Sequence, residues 1–411
     1  MRIKLFFAAA LALVIPALTG AGCTVTPDFN SRLEEIAAPY IFSIAGWEAK
    51  TLPREAFQIP ARPDSPENEA RLVFDYFINV SRIESLKVSL QNGNPGPDDR
   101  SALEAELTAL EASRNAVQNR VEQILERQIK ATLAEQGIFN LADLYPSPKI
   151  TFPPLNFKLE TPPHLLVVSP RDRIESLREI ILVQDITTDE MTAIEDEADE
   201  LGVSSLVLEL GGLGATYPSF VTNEASLRFT LNAAAEEWLH QYLAFRPLGF
   251  LYVLDLLGIS PDYEIATINE TVAGIVSKEI GSLVYEKYYT PYNTATPNTN
   301  SNSGFDFNRE MRDIRRQVDG YLARGEIEAA EEFMEQKRQY LAENGYYIRK
   351  LNQAYFAFHG AYGDSPTSVS PIGEELKALR AQCVTLKEFL DKASRITGRE
   401  DIATLLAQPA K

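Results

Sequence analysis

The chain has 411 residues, 45% hydrophobic and 24% charged, which is enough for a sizeable core and more than one structural unit. A formal net charge of −19 repels the phosphates of nucleic acid and excludes that class of partner. With only Cys23 and Cys383 present, a disulfide-rich scaffold is excluded as well.

The first 22 residues read as a bacterial secretory signal: Arg2 and Lys4, an apolar run over 5–18, then Gly20, Ala21 and Gly22 before Cys23. The run is shorter than the ~20 residues of a spanning helix. Gly22-Cys23 resembles a lipobox, with Gly20 where such motifs usually carry Leu. The resemblance implies lipidation of Cys23 and a lipid anchor on the outer face of the membrane, in the cell envelope. Cys383 then lacks a partner and reads as a small buried hydrophobe between Leu379 and Leu386.

Residues 23–66 read as a tether, helix-prone over 31–38 and proline-rich beyond. Residues 67–145 read as an antiparallel helical hairpin. In its first arm Leu72, Tyr76, Val80, Ile83 and Leu86 recur at helical spacing, residues 92–97 break the chain, and Leu103, Leu107, Leu110, Val117, Val121 and Ile124 follow in the second. The period changes across residues 146–290, an expected α/β core. Apolar runs at 164–168, 180–183 and 205–210 are strands. Thr187-x-x-Glu190 is a capping box opening a helix. Gly211-Gly212-Leu213-Gly214 lacks phosphate-loop spacing and reads as a turn, and residues 215–221 read as an edge strand. Helices follow over 224–245, closed by Arg246-Pro247-Leu248-Gly249, and over 265–287. Residues 291–308 form an expected mobile polar loop. The region 309–411 is helical, broken at Gly325 and Gly345, with a helix over 351–359 and a last amphipathic one over 371–394. The expected class is α+β, helix-rich.

On the 224–245 helix, Glu236 and His240 lie about 40° apart and Glu237 about 60° further round. Leu231, Ala235, Trp238, Leu239 and Tyr242 form the buried face. By itself this describes a solvated polar stripe. On the second helix Glu270 shares its stripe with Ala273, Gly274 and Ser277, small residues that permit close approach of another helix.

Glu236-Glu237-x-x-His240 followed by Asn269-Glu270-x-x-Ala273 resembles the gluzincin peptidases, and residues 160–395 resemble bacterial membrane-associated, aminopeptidase-like proteins of that zincin architecture. The resemblance implies that His240 and Glu270 are metal ligands, that Glu237 is the general base, and that an edge strand pairs with an extended peptide substrate. Glu236 stands where that family has its first histidine. Two outcomes stay open. Glu236 itself ligates, giving a Glu/His/Glu site for Zn²⁺ or the harder Mn²⁺. Alternatively the site holds no metal, and the chain is an inactive pseudo-peptidase or a structural envelope lipoprotein that binds a peptide or protein partner. Tyr355 and His359 share a helical face with Asn352, and the analogy gives one of them the oxyanion; packing is the other role for both. His164, before a strand, reads as structural.

Overall fold

The computed structural model describes residues 27–56, 62–92, 96–138, 151–292, 305–363 and 365–407. The signal segment, Cys23 and most of the expected polar loop lie outside these residues. Among the described residues no helix is long and apolar enough to cross a membrane.

The architecture is α+β and helix-rich. The expected tether is folded onto the body. Helix α1 (Pro27–Ala37), a 3₁₀ turn at Ala38–Tyr40 and helix α2 (Ile44–Ala56) occupy it. Pro39 sits in that turn and Pro53 inside α2, so prolines that suggest a loose linker are accommodated in helical turns. Aromatic anchors outweigh them: the Phe42 and Trp47 rings lie 5.9 and 4.3 Å from that of Phe220.

The hairpin forms as expected from α3 (Pro66–Asn92) and α4 (Pro97–Glu135), with Val73, Tyr76 and Val80 in one core with Val121, Ile124, Leu125 and Ile129. Helix α4 also covers the edge of strand β1 (Phe157–Leu159). Glu122 and Glu126 accept the Leu159 and Phe157 N–H groups at 2.9 and 3.2 Å, and Gln118 donates to Leu159 O at 2.8 Å. A helix thereby satisfies an otherwise open strand edge. Lys158 Nζ bridges Glu55 at 2.7 Å and Glu122 at 2.9 Å, tying α2 to α4.

Two three-stranded sheets follow. In the first, β2 (His164–Pro170) lies between β3 (Arg178–Leu182) and β4 (Val203–Glu209), all antiparallel. Leu166 and Val168 of β2 face a core shared with α1 and α5 (Thr188–Asp199), whose capping box at Thr187 and Glu190 is present. Leu165 and Val167 face the opposite way, towards Ala354. A strand covered on both faces reads as an unbroken apolar run.

The second sheet has the order β1-β6-β5, with β5 (Gly212–Leu213) at its edge and β6 (Ser219–Val221) in the middle. The expected edge strand at 215–221 is therefore internal, and the expected glycine turn supplies the edge. The cause is pairing on both sides: β6 runs parallel to β1 and antiparallel to β5.

Helices α6 (Leu227–Leu243), α7 (Pro247–Leu256) and α8 (Tyr263–Tyr288) complete the centre. Beyond them lie α9 (Phe307–Ala323), α10 (Ile327–Glu343) and α11 (Gln353–Gly360). Gly325 and Gly345 end α9 and α10 with φ of 73° and 88°, a conformation that only glycine adopts freely. The expected last helix is split into α12 (Ile372–Gln382) and α13 (Leu386–Ala393), and α14 (Arg399–Leu406) follows. Thr385 makes the split by accepting the Glu388 N–H as a new N-cap. Cys383 is buried at that junction.

Burial beneath β1 pushes the Glu126 carboxyl up to about 8, against the lowering effect of the Phe157 N–H. A raised folded-state value means that the fold binds this proton more tightly than the unfolded chain. The stabilisation is complete below pH 4.5 and disappears as pH rises towards 8, a loss of up to roughly 5 kcal/mol. Glu126→Gln keeps the acceptor and removes the titration. It should raise the Tm above that of the parent at about pH 9 and change it little at about pH 5; an equal gap at both would refute this.

Candidate metal centre

Helix α6 starts where Ser226 accepts the Phe229 N–H. Its face of Leu231, Ala235, Trp238, Leu239 and Tyr242 is buried, as the periodicity predicts. The opposite stripe is not solvated, because α8 lies against it. Gly281 of α8 meets Asn232 of α6, and a methyl group there would overlap the Asn232 side-chain oxygen. Ala273, Gly274 and Ser277 of α8 are buried. Across this helix contact Glu270, 7% exposed, reaches His240.

The structure gathers Glu236, His240 and Glu270 into one group, with a ligand atom from each within 4.8 Å of the others. Bonds of about 2.0–2.2 Å to a shared cation place ligands at most about 4.4 Å apart. Small side-chain rotations therefore close the shell. His240 Nδ1 lies 3.0 Å from Asn269 Oδ1, so Nδ1 donates its proton there and the neutral ring presents the Nε2 lone pair. That lone pair faces Glu270 Oε2 at 3.6 Å. Glu270 Oε1 accepts from the Tyr252 hydroxyl, while Oε2 is buried with no hydrogen-bond partner. An imidazole fixed by a side-chain carbonyl and a carboxylate fixed by a hydroxyl are the usual second ring of contacts around a metal. The orphaned Oε2 and the Nε2 lone pair leave space for a cation between them, and the donor set fits one.

The charges follow from this geometry. Burial disfavours the imidazolium form of His240, but Glu270, then Glu237 and Glu236, outweigh it and raise its pKa. Glu237 is pushed up to about 8 by burial, with His240 pulling it down and the neighbouring carboxylates adding to the rise. Tyr362 lies over the same group: burial, then Glu270, Glu236 and Glu237, holds its proton on well above the usual range. The Gly363 N–H donates to Thr271 Oγ1 at 2.9 Å, and Gly373 packs so closely on the Gly363 carbonyl that no side chain fits there. These contacts anchor the segment carrying Tyr362 to α8 and α12.

Tyr252 and Tyr362 are therefore the tyrosines brought to the carboxylates; Tyr355 and His359 are not. The rings of Tyr355 and His359 lie 4.3 Å apart on α11, with Tyr355 against the cores around Phe356 and Ala354. His359 is held down to about 4 by burial alone, and no carboxylate of the centre acts on it. His164 is buried in β2 with Nδ1 3.0 Å from Val183 O, a structural position.

Tyr252 was hidden by reading residues 246–249 as a helix end. Pro247 instead opens α7, where its missing N–H costs nothing. Gly249 lets α7 fold back on α6, since a Cβ there would overlap the Leu243 carbonyl. Pro at a first helical position two residues before Gly was the available signal. Tyr362 had none, because its place depends on tertiary contacts. Gly249→Ala should displace α7 and lower stability by about 2 kcal/mol or more, read by thermal melting; an unchanged Tm would mean that α7 is not wedged there. Compared with known families, curated proteins and solved structures, the chain matches none.

Proposed function

We propose that the chain is a divalent-metal-dependent peptidase, or a close relative of one, anchored by an N-terminal lipid to the outer face of a bacterial membrane. Glu236, His240 and Glu270 hold the cation. The observation that carries this reading is Glu270 Oε2, buried without a hydrogen-bond partner and facing the His240 lone pair. A carboxylate in that state costs several kcal/mol unless a cation offsets it.

A bound divalent cation supplies the Lewis acidity that polarises a peptide carbonyl and makes water a stronger acid. Glu237, next to the ligand Glu236 on α6, takes the proton of attacking water and returns it to the leaving amine. Tyr362 keeps its proton and donates to the oxyanion that develops on the carbonyl, the role expected of Tyr355 or His359. The outer edge of β5 offers its backbone to an extended peptide; among the described residues β5 pairs only with β6. Two carboxylates and one imidazole suit Mn²⁺ better than a two-histidine set does, although Zn²⁺ also tolerates them.

Titration of metal-free protein with Zn²⁺ and Mn²⁺ in a calorimeter should give one site per chain. Asn269→Ala should weaken it about 10–100-fold, and Glu236→His should raise Zn²⁺ affinity relative to Mn²⁺. With metal bound, cleavage of a mixed peptide library should fall by at least about 100-fold in Glu237→Gln while metal affinity stays. Absence of any metal binding would sink the reading; binding without cleavage would leave a peptide-binding pseudo-peptidase.

The anchor rests on Cys23 and has its own test. Cells fed an alkynyl fatty acid should label the parent protein and not Cys23→Ser, which should leave the membrane fraction. Equal labelling would refute lipidation there.

A further inference from the structure

Three glycines before β6 touch α6 at defined places. A Cβ on Gly211 would lie 2.7 Å from Phe229 Cζ. One on Gly212 would overlap Glu237 Oε1 and lie 2.8 Å from its Cδ, and one on Gly214 would lie 2.8 Å from the Glu237 carbonyl oxygen and 2.9 Å from Oε2. Real Cβ atoms essentially never come so close, so a side chain at Gly211 or Gly212 displaces the Phe229 or Glu237 side chain, and one at Gly214 also meets the α6 backbone. One turn further along α6, Gln241 Nε2 donates to Gly214 O at 3.1 Å and to Thr216 O at 2.9 Å. Gly214 is thus held at its carbonyl by Gln241 while its Cα side lies against Glu237.

We propose that Gly212 and Gly214 are positioning residues for Glu237, the bare backbone of the sheet edge forming a seat that fixes its carboxylate beside the cation site and outside the ligand set. This rests on the reading of Glu237 as general base. The geometry gives the seat a purpose. Glu237 follows the ligand Glu236 directly, and an unrestrained carboxylate there is free to swing towards His240 and coordinate. A base that coordinates has lost the lone pair it needs for the proton. With the glycine backbone against its flank, Glu237 is held back. Gly212 lies in β5 and Gly214 directly follows it, so the backbone offered to the substrate and the backbone holding the base are continuous.

Gly212→Ala forces Glu237 off the seat while leaving Glu236, His240 and Glu270 in place. Its kcat on a cleaved peptide should fall at least about tenfold, KM should stay within about threefold, and metal affinity should hold or tighten. In the Glu237→Asp background, where the acid is one methylene shorter, the same Gly212→Ala change should cost less than about threefold in kcat. Gly214→Ala provides a second probe if the first variant folds poorly, and circular dichroism with metal titration confirms a folded site in each. The proposal is overturned if Gly212→Ala retains parental kcat, or if its loss is the same in both backgrounds. A parent chain that cleaves nothing sinks the peptidase reading separately. The contact then stands or falls on thermal unfolding, where Gly212→Ala should destabilise the parent and have little effect in Glu237→Ala.

Discussion

The centre depends on one side chain being fixed at both ring nitrogens. His240 comes from α6, while Asn269 and Glu270, on its two sides, come from α8. Neither helix alone orients the ring. Asn269 sets its tautomer, so that in the neutral ring the nitrogen facing Glu270 carries the lone pair a metal needs. Every other feature of the site answers to that choice. Tyr252 occupies the far oxygen of Glu270, so that the near one stays available, and the Tyr252 ring lies 5.8 Å from that of His240. The close approach of the helices comes before any of this. It exists because Gly281 gives way to Asn232.

The same device recurs around the site at other scales. Gly249 admits the turn that brings Tyr252 in, Gly363 and Gly373 interlock to carry Tyr362, and Gly212 and Gly214 admit Glu237. In each case a missing Cβ lets backbone stand where side chain would otherwise separate two elements. The cost is the conformational freedom that glycine loses on folding. That cost is borne where several elements converge within a few ångströms of three carboxylates. Close packing of this kind resists small displacements, because interiors at crystal-like density have few voids to absorb them.

What was legible in the chain follows from the range of the signal. The Thr187 capping box, the two arms of the hairpin and the apolar run of β2 are local patterns, and each sits where its periodicity, composition or cap predicts. The helical phase of α6 correctly grouped Glu236 with His240, and the small residues around Glu270 correctly marked a contact face. The phase alone left that face as solvated as it was buried, since a helix does not state what lies against it. Proline misled in two directions. It made α2 look like a tether, although Phe42 and Trp47 supply a reason to fold, and it made α7 look like an ending when it was a beginning. The edge of the second sheet was misplaced because Gly212 and Leu213 have no strand propensity; their pairing with Val221 and Phe220 is long-range in cause. Tyr355 and His359 shared a face, but that face met a different sheet.

Buried carboxylates elsewhere in the molecule sharpen the meaning of those at the centre. Glu195, 2% exposed, receives the Arg349 guanidinium, with Lys350 at 3.5 Å, and also takes the Val207 N–H. Glu122, equally buried, meets Lys158 at 2.9 Å and the Leu159 N–H. At both places the chain neutralises a buried acid with a cation and spare donors, as desolvation requires. Glu270 is enclosed nearly as well, and among the described residues no lysine or arginine pairs with it; it has tyrosine hydroxyls and an imidazole. Glu236 and Glu237 add their charges to the same small volume. In a chain with 39 basic residues a partner was available. Glu122 and Glu195 each meet a protein cation and Glu270, among the described residues, meets a single histidine, so its site is balanced for a positive charge that arrives from solution. A divalent cation supplies that charge to three ligands at once, which no single side chain does.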